Sequence, residues 1–431
     1  MKTFNIAIAG LGNIGLEVYK NLAKNKKNIL KKTGFKFNIS LISVKNLKKK
    51  RGIALSKKLF VKNPIDLTRS KDIDIIVELI GGSDGMAKKL VFAALKSGKH
   101  VVTANKALIS KYGDELSVLA EKNSVNLLFE ASVGGGIPII KSIKQGLIAN
   151  EINHVYGILN GTTNYILTEM ERKKANFKEI LKIAQDKGYA ESNPHSDISG
   201  SDAASKISIL SSICFGSKII NSGFLVEGIS NIDLRDILYA KKLGFKIKLL
   251  AISEIIKNKI KQRVHPALIP TALDIANIDG VTNAIVVDGK PIGKTVYEGA
   301  GAGKGPTSSA IISDITSIMV GNDDFCFGHS PSAKKTYSLF DFNNHQSKYY
   351  FRFLVHDKPG VLSQITSLLA KNNISIQNLI QDPDQKKLSN VMIITHLSKE
   401  KDIQLILKKL LNKKNIFKKI VMIRVRNQNK L

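Results

Sequence analysis

The chain has 431 residues, 43% of them apolar, enough for about three domains that each bury a core. Lysine and arginine outnumber acidic residues 66 to 35, a net charge of +31, but the excess is lysine spread along the whole sequence; with aromatics at 6% and no aromatic–basic interleaving, nucleic acid is set aside as a partner. Two cysteines, Cys214 and Cys326, exclude a disulfide framework and paired metal-ligand spacing, and every apolar stretch is interrupted before the ~18 residues of a membrane span, so a cytoplasmic protein with no membrane partner is expected.

In chain order, residues 5–10 form a short apolar run that ends in Gly10-Leu-Gly12-Asn13-Ile14-Gly15 and passes into a helical stretch from Leu16 to Ala23. Strand, tight turn and helix in that order suit a dinucleotide: the glycines let the backbone approach a pyrophosphate, which the helix N-terminus stabilises. Gly10, Gly12, Asn13, Ile14 and Gly15 are the candidate cofactor contacts. The second strand, 39–44, runs into Lys45-Asn-Leu-Lys-Lys-Lys-Arg51, and no acidic residue occurs between Glu17 and Asp66. The carboxylate that would hold both ribose hydroxyls of NAD is therefore missing, and Lys45 is placed to meet a 2'-phosphate, so NADP(H) is preferred with NAD(H) possible. Strands at 73–80 and 100–103 come next, the first ending at Gly81-Gly82 and the second at Ala104-Asn105-Lys106. Carboxyl ends of strands form the ligand rim of such a sheet, which puts Thr103 and Lys106 beside the nicotinamide. A fifth strand is expected at 125–130, running into the glycine turn Ala131-Ser-Val-Gly-Gly-Gly-Ile-Pro138.

Residues 138–300 alternate strands with helices. In Gly157-Ile-Leu-Asn-Gly-Thr-Thr-Asn164, Thr162 and Thr163 either cap the next helix or contact a carboxylate. The segment from Gly188 to Lys206 gathers Glu191, Asp197, Asp202 and Lys206 around turn formers and then restarts helical periodicity, with Asp202 and Lys206 one turn apart. Carboxylates there suit an ammonium and a lysine suits a reacting oxygen, although an i,i+4 pair on its own is often only a solvated ion pair. His265, with no carboxylate close in sequence, reads as structural and Arg263-Val-His265 as a strand end. The glycine-rich 297–307 precedes a helix at 308–320 that returns the chain to the cofactor domain.

Residues 323–347 read as a linker. The remainder of the chain reads as strand 349–355, helix 361–371, strands 374–380 and 390–397, helix 401–411 and strand 417–425, the ferredoxin-like plan. Its first turn, His356-Asp357-Lys-Pro-Gly360-Val361, resembles the loop of ACT domains, which bind amino acids between paired copies. Asp357, Gly360, Val361 and, across the interface, Asn372 are the candidate effector contacts.

Taken together, the glycine turn, Thr103-Ala-Asn-Lys106, the acidic loop at 188–206 and the glycine turn at 297–307 resemble homoserine dehydrogenases in the same order along nearly the whole chain. The fold class implied is α/β: a Rossmann-type doubly wound sheet (1–137, rejoined by about 300–322), an α+β catalytic and dimerisation domain (138–300) and a C-terminal ferredoxin-like ACT domain (348–431). No kinase region is expected ahead of the first strand. The resemblance implies NAD(P)H-dependent reduction of L-aspartate 4-semialdehyde to L-homoserine, with Glu191, Asp197, Asp202 and Thr162 around the substrate. Lys206 becomes the proton donor and Lys106 its partner, each lysine depressing the other's pKa. Gly188 and Gly303 are expected near the cofactor. A monovalent cation, sodium or potassium, is expected on Glu130 and the carbonyls of Val133, Gly135 and Ile137, where oxygen-only ligation suits a hard ion. Feedback by threonine and assembly as a homodimer or homotetramer complete the implied picture. Ser192, His195 and Lys45 depart from the family's more usual residues. The competing readings are another two-domain NADP oxidoreductase of a small aldehyde and a non-catalytic nucleotide or amino-acid sensor.

Overall fold

The computed structural model describes residues 2–53, 55–383, 388–412 and 416–426. The first strand, β1 (Thr3–Ala9), enters a turn in which Gly10 has φ +103°, and a Cβ there would stand 2.6 Å from the Leu79 carbonyl oxygen. Helix α1 (Asn13–Thr33) comes next, ten residues longer at its C-terminal end than the periodicity suggests, and it carries the Lys24–Lys32 cluster on its outer side. β2 (Lys36–Ser43), β3 (Phe60–Val61), β4 (Ile75–Glu78), β5 (His100–Thr103) and β6 (Leu127–Leu128) complete a parallel sheet in the order β3-β2-β1-β4-β5-β6. Its connections are α2 (Asp66–Arg69), α3 (Met86–Lys96) and α4 (Lys106–Lys122). The strand order reverses between β1 and β4, the point where such sheets bind ligands at their carboxyl ends.

Two expected strands are shorter than read. The third stops at Glu78, whose carboxylate accepts the Ile80 and Gly81 amides and so turns the chain out of the sheet. The fifth keeps only Leu127–Leu128, because the Glu130–Ser132 stretch coils into a 3-10 turn whose Glu130 amide donates to Asp314.

After the short helix α5 (Ile139–Lys141), the chain builds β7 (Glu151–Ile158), α6 (Gly161–Lys173), α7 (Phe177–Asp186), α8 (His195–Ile198), α9 (Ser201–Phe215), β8 (Leu225–Val226), α10 (Leu234–Lys242), β9 (Phe245–Ile256), β10 (Lys259–Pro270), β11 (Thr282–Lys290) and β12 (Gly293–Ala300). Every residue of α9 except Ser201 and Ser205 is buried. It is thus an interior helix that carries two opposite charges, Asp202 and Lys206, with it. Arg263 and His265 lie in the middle of β10 rather than at a strand end. Helix α11 (Lys304–Met319) begins four residues earlier than expected and returns to the nucleotide-type domain, where Ile311, Ile315 and Ile318 join the core of β1, β4 and α1.

Residues 323–347, expected as a linker, are packed. Phe327 is fully buried, Lys334 pairs with Asp114, and β13 (Ser338–Leu339) lies along β10. The last domain consists of β14 (Gln346–His356), α12 (Val361–Lys371), β15 (Ile376–Pro383), β16 (Leu388–Thr395), β17 (Ser398–Lys399), α13 (Glu400–Leu411) and β18 (Phe417–Val425). Its strands run antiparallel in the order β18-β14-β16-β15, the ferredoxin-like arrangement.

The middle and last domains, expected as separate units, share a sheet. β18 pairs in parallel with β10 through Ala267–Arg424 and Leu268–Val425, so their strands form one continuous surface. Buried ion pairs rivet the seam: Arg352 grips Asp236 at 2.6 and 3.0 Å, and Arg424 joins Glu227 at 2.7 Å and Glu400 at 2.5 Å.

Candidate active site

At the carboxyl ends of β4 and β5, Glu78 is fully buried and accepts the Thr103 hydroxyl at 2.6 Å as well as the two amides after β4. Thr103 in turn accepts the Asn105 amide, and Asn105 caps α4 while its side chain donates to the Gly82 carbonyl. The rim loops are therefore locked together, and the Thr103 hydroxyl is committed to the protein. Lys106 is the first residue of α4. A cation at a helix N-terminus opposes the dipole, so it needs a carboxylate partner.

That partner is Asp202. Its Oδ1 lies 2.8 Å from Lys106 Nζ and its Oδ2 lies 2.7 Å from Lys206 Nζ. Lys206 also donates to the Leu159 carbonyl at 2.7 Å. Burial alone would raise the Asp202 carboxyl, but Lys206 and Lys106 together hold it well below the usual carboxylate range. Burial would lower the Lys106 ammonium, yet Asp202, with Asp197 and Glu191 behind it, raises it above the ordinary lysine value. The expectation that the two lysines depress each other is thus corrected for Lys106: a carboxylate sits between the cations and its attraction exceeds their mutual repulsion.

Asn160, not singled out from sequence, organises the acidic loop. Its amide donates to Asp197 Oδ1 at 2.7 Å and to Asp202 Oδ2 at 2.9 Å, while its side-chain oxygen caps α6 by accepting the Thr163 amide. Capping therefore belongs to Asn160 rather than to Thr162 or Thr163. Thr162 donates instead to the Tyr189 carbonyl at 2.7 Å, fixing the loop between Gly188 and Glu191 without touching a carboxylate. An asparagine just before a helix is an ordinary cap signal; nothing local announces that its other end meets two aspartates 37 and 42 residues away. Asp197 is half-buried, and burial raises its carboxyl. Glu191 is exposed, with its carbonyl held by Gln185.

The nucleotide turn faces the same rim. A Cβ on Gly15 would stand 2.0 Å from the Gly10 carbonyl oxygen, so close packing of turn and helix requires glycine there. At Gly12 a Cβ would meet nothing within 4 Å, which leaves the approach to the α1 N-terminus open. Asn13 is exposed and Ile14 half-buried beside it, and no acidic residue occupies the first turn of α1. These features fit a pyrophosphate. Lys45 is exposed just past β2, whose last residue Ser43 accepts the Gly10 amide. Gly303, at φ +119°, opens α11 beside the same domain, and Gly188 is an exposed turn residue with φ +72°.

The Glu130 carboxylate accepts the Ile140 and Lys141 amides at 2.8 and 2.9 Å and lies next to Asp314. Burial and the neighbouring Asp314 raise the Glu130 carboxyl to about 7, and burial raises Asp314 to about 6, with Lys141 at 3.4 Å opposing it. Asp314 and Lys141 were not singled out from sequence. The turn through Val133, Gly135 and Ile137 is set against the 300–301 turn by the Gly136 amide, which donates to the Ala300 carbonyl. Two buried carboxylates opposed by Lys141, beside a carbonyl-rich turn, suit an added hard cation.

In the last domain, Asp357, Gly360 and Val361 line a cavity of about 450 Å³ with His356 and Gln381. Asn372 ends α12, and its amide donates to the Leu368 carbonyl of its own helix.

Three family models match the chain: "Homoserine dehydrogenase, NAD binding domain" over 10–130, "Homoserine dehydrogenase" over 138–316 and "ACT domain" over 349–414. A homoserine dehydrogenase of Neisseria gonorrhoeae is 43% identical over 412 residues, 94% of each chain. The chain belongs to the homoserine dehydrogenase family. A solved homoserine dehydrogenase from Thiobacillus denitrificans superposes with TM-score 0.91 at 39% identity over 99% of both chains. A hyperthermophilic archaeal homoserine dehydrogenase solved in complex with NADPH superposes with TM-score 0.59 at 25% identity, covering 73% of this chain and 97% of its own. The chain is thus an oxidoreductase with a nicotinamide-nucleotide domain and a C-terminal ACT domain. Among the described residues no helix is long and apolar enough to cross a membrane.

Proposed function

We propose that the Lys106–Asp202–Lys206 cluster reduces L-aspartate 4-semialdehyde to L-homoserine with NADPH, in the cytoplasm. The observation that supports this most is the buried carboxylate bridging two ammonium groups at the rim of the sheet. When bound, the nicotinamide supplies hydride to the aldehyde carbon. Lys206 stabilises the alkoxide that develops on the substrate oxygen and gives it a proton. Lys106, more exposed than Lys206, stands toward the cofactor and keeps Asp202 ionised. Asp197 and Glu191 receive the substrate ammonium, and Asn160 keeps the Asp197 and Asp202 carboxylates in place.

Gly10, Gly12, Asn13, Ile14 and Gly15 would hold the pyrophosphate, with Gly188, Gly303 and the Thr103 main chain near the rest of the nucleotide. Lys45 meets the 2'-phosphate, which favours NADP over NAD; the missing acidic residue after β2 supports the same preference. A sodium or potassium ion would bind the turn of Glu130, Val133, Gly135 and Ile137. Threonine is the proposed effector at Asp357, Gly360 and Val361, in a homodimer or homotetramer whose ACT domains pair. The test is homoserine-dependent reduction of NADP and NAD in parallel. Preference for NADP that collapses in Lys45→Ala supports the cofactor assignment; a wild-type preference for NAD refutes it, and no turnover with either refutes the reaction.

A further inference from the structure

We propose that the cavity between β7, β9, β10, the segment entering β14 and the end of β18 binds a small molecule bearing an oxyanion, either a phosphate monoester or a multiply carboxylated acid. The site is separate from the Lys106–Asp202–Lys206 cluster and from the effector loop at 357–361. Its volume is about 390 Å³, within the range of small-ligand pockets.

The cavity wall is rich in cations. Lys257, Lys261, Arg263, Arg424 and Arg426 line the cavity against Glu254, the one carboxylate among the described lining residues. Glu254 is shared by Arg263 at 2.8 Å and Lys261 at 3.4 Å, and Arg424 is balanced from behind by Glu227 and Glu400. Arg426 lies over the Tyr156 ring at 3.8 Å and shares the attraction of Glu254 with Arg263 and Lys261. An excess of cations held partly out of water calls for an anion.

The wall also carries unsatisfied hydrogen-bonding groups. Arg263 Nε, His154 Nε2, His265 Nε2 and His345 Nδ1 are buried and have no hydrogen-bond partner among the described residues. All four residues line this one cavity. Buried polar atoms are rarely left unpaired, and four on residues that line one cavity indicate a missing partner. Burial keeps the three imidazoles neutral. With His265 Nδ1 donating to the Pro266 carbonyl at 2.8 Å, its Nε2 is an acceptor. An occupant that offers an anionic oxygen to Arg263 and a hydroxyl to His265 satisfies both groups. A monoprotonated phosphate ester or a hydroxy acid has both. Leu250, Ile252 and Ala267 form an apolar wall suited to a short carbon skeleton.

Calorimetric titration of the full-length protein, saturated with NADP so that the nucleotide phosphate site is filled, tests this with inorganic phosphate and with citrate as probes. One site per chain is expected. Arg263→Lys keeps a cation against Glu254 but loses the Nε donor, and Lys257→Glu reverses a charge on an exposed turn; each is expected to weaken binding. Binding of phosphate alone assigns a phosphate ester, and binding of citrate alone a carboxylated acid. Absence of saturable heat with both probes, as when a second copy of the chain covers the cavity, overturns the proposal. Binding that is unchanged by the substitutions overturns it too, and Lys257→Glu decides the matter if Arg263→Lys does not fold.

Discussion

Replacing Asp202 with asparagine perturbs the site at its centre while keeping the side chain's shape. The wild-type carboxylate is 6% exposed and accepts Lys106, Lys206 and the Asn160 amide. Removing one partner of a buried ion pair costs about 3–5 kcal/mol. The Lys106 side chain is 42% exposed, so its arm of the pair adds no more than a surface bridge, at most about 1 kcal/mol. Lys206, at 8% exposure, keeps the Leu159 carbonyl and gains the amide oxygen of asparagine, which places the loss near the lower bound, about 3 kcal/mol. At roughly 2–4 °C per kcal/mol for a domain of this size, the melting temperature should fall by about 6–12 °C. Lys106 also loses the carboxylate that raises it, so its ammonium should give up its proton at lower pH. Thermal unfolding by circular dichroism and an NMR titration of the Lys106 side chain measure the two effects. An asparagine variant with wild-type melting and an unmoved Lys106 titration would contradict this.

Four further substitutions probe the nucleotide turn, the buried carboxylates and the seam. Gly12→Ala should fold normally, since a Cβ there meets nothing within 4 Å, yet lose nucleotide affinity, whereas Gly15→Ala should lose stability as well; fluorescence titration with NADPH beside melting curves separates them. Glu130, raised to about 7 in the fold, binds its proton more tightly there than in the unfolded chain. Its contribution to stability is therefore full below about pH 4.5 and lost as pH rises through 7, by about 3 kcal/mol at 1.36 kcal/mol per unit. Urea unfolding at pH 5.5 and 8 should show that slope, and Glu130→Gln should flatten it. Arg352→Met, which strands Asp236 at the seam of the two sheets, should cost about 3–5 kcal/mol in the same assay; a loss below about 1 kcal/mol would show that the pair does not hold the seam.

Local signals carried most of the fold. The glycine turn, the strand His100–Thr103, the helix Val361–Lys371 and the strand Phe417–Val425 were legible because each is bounded by its own turn residues and periodicity. The features that sequence did not reveal depend on distant partners. Glu78 looks like a strand residue until its carboxylate is seen to tie β4 to β5, and Glu130 until Asp314 draws its amide out of β6. Asn160 reads as a helix cap, and only the tertiary fold brings its amide to Asp197 and Asp202. The lysine pair was found, but the sign of its effect on Lys106 was not, because sequence spacing shows Asp202 beside Lys206 and cannot show it reaching Lys106. The pairing of β10 with β18 joins residues 157 positions apart, and no local pattern encodes that register.

Delivery of the proton to the substrate oxygen by Lys206 is tested most directly by homoserine-dependent NADP reduction by wild type and Lys206→Ala, with NADPH affinity measured on both. A fall in kcat of about 10²–10⁴ with nucleotide binding unchanged is expected. Lys206→Ala turning over within a few-fold of wild type would contradict it.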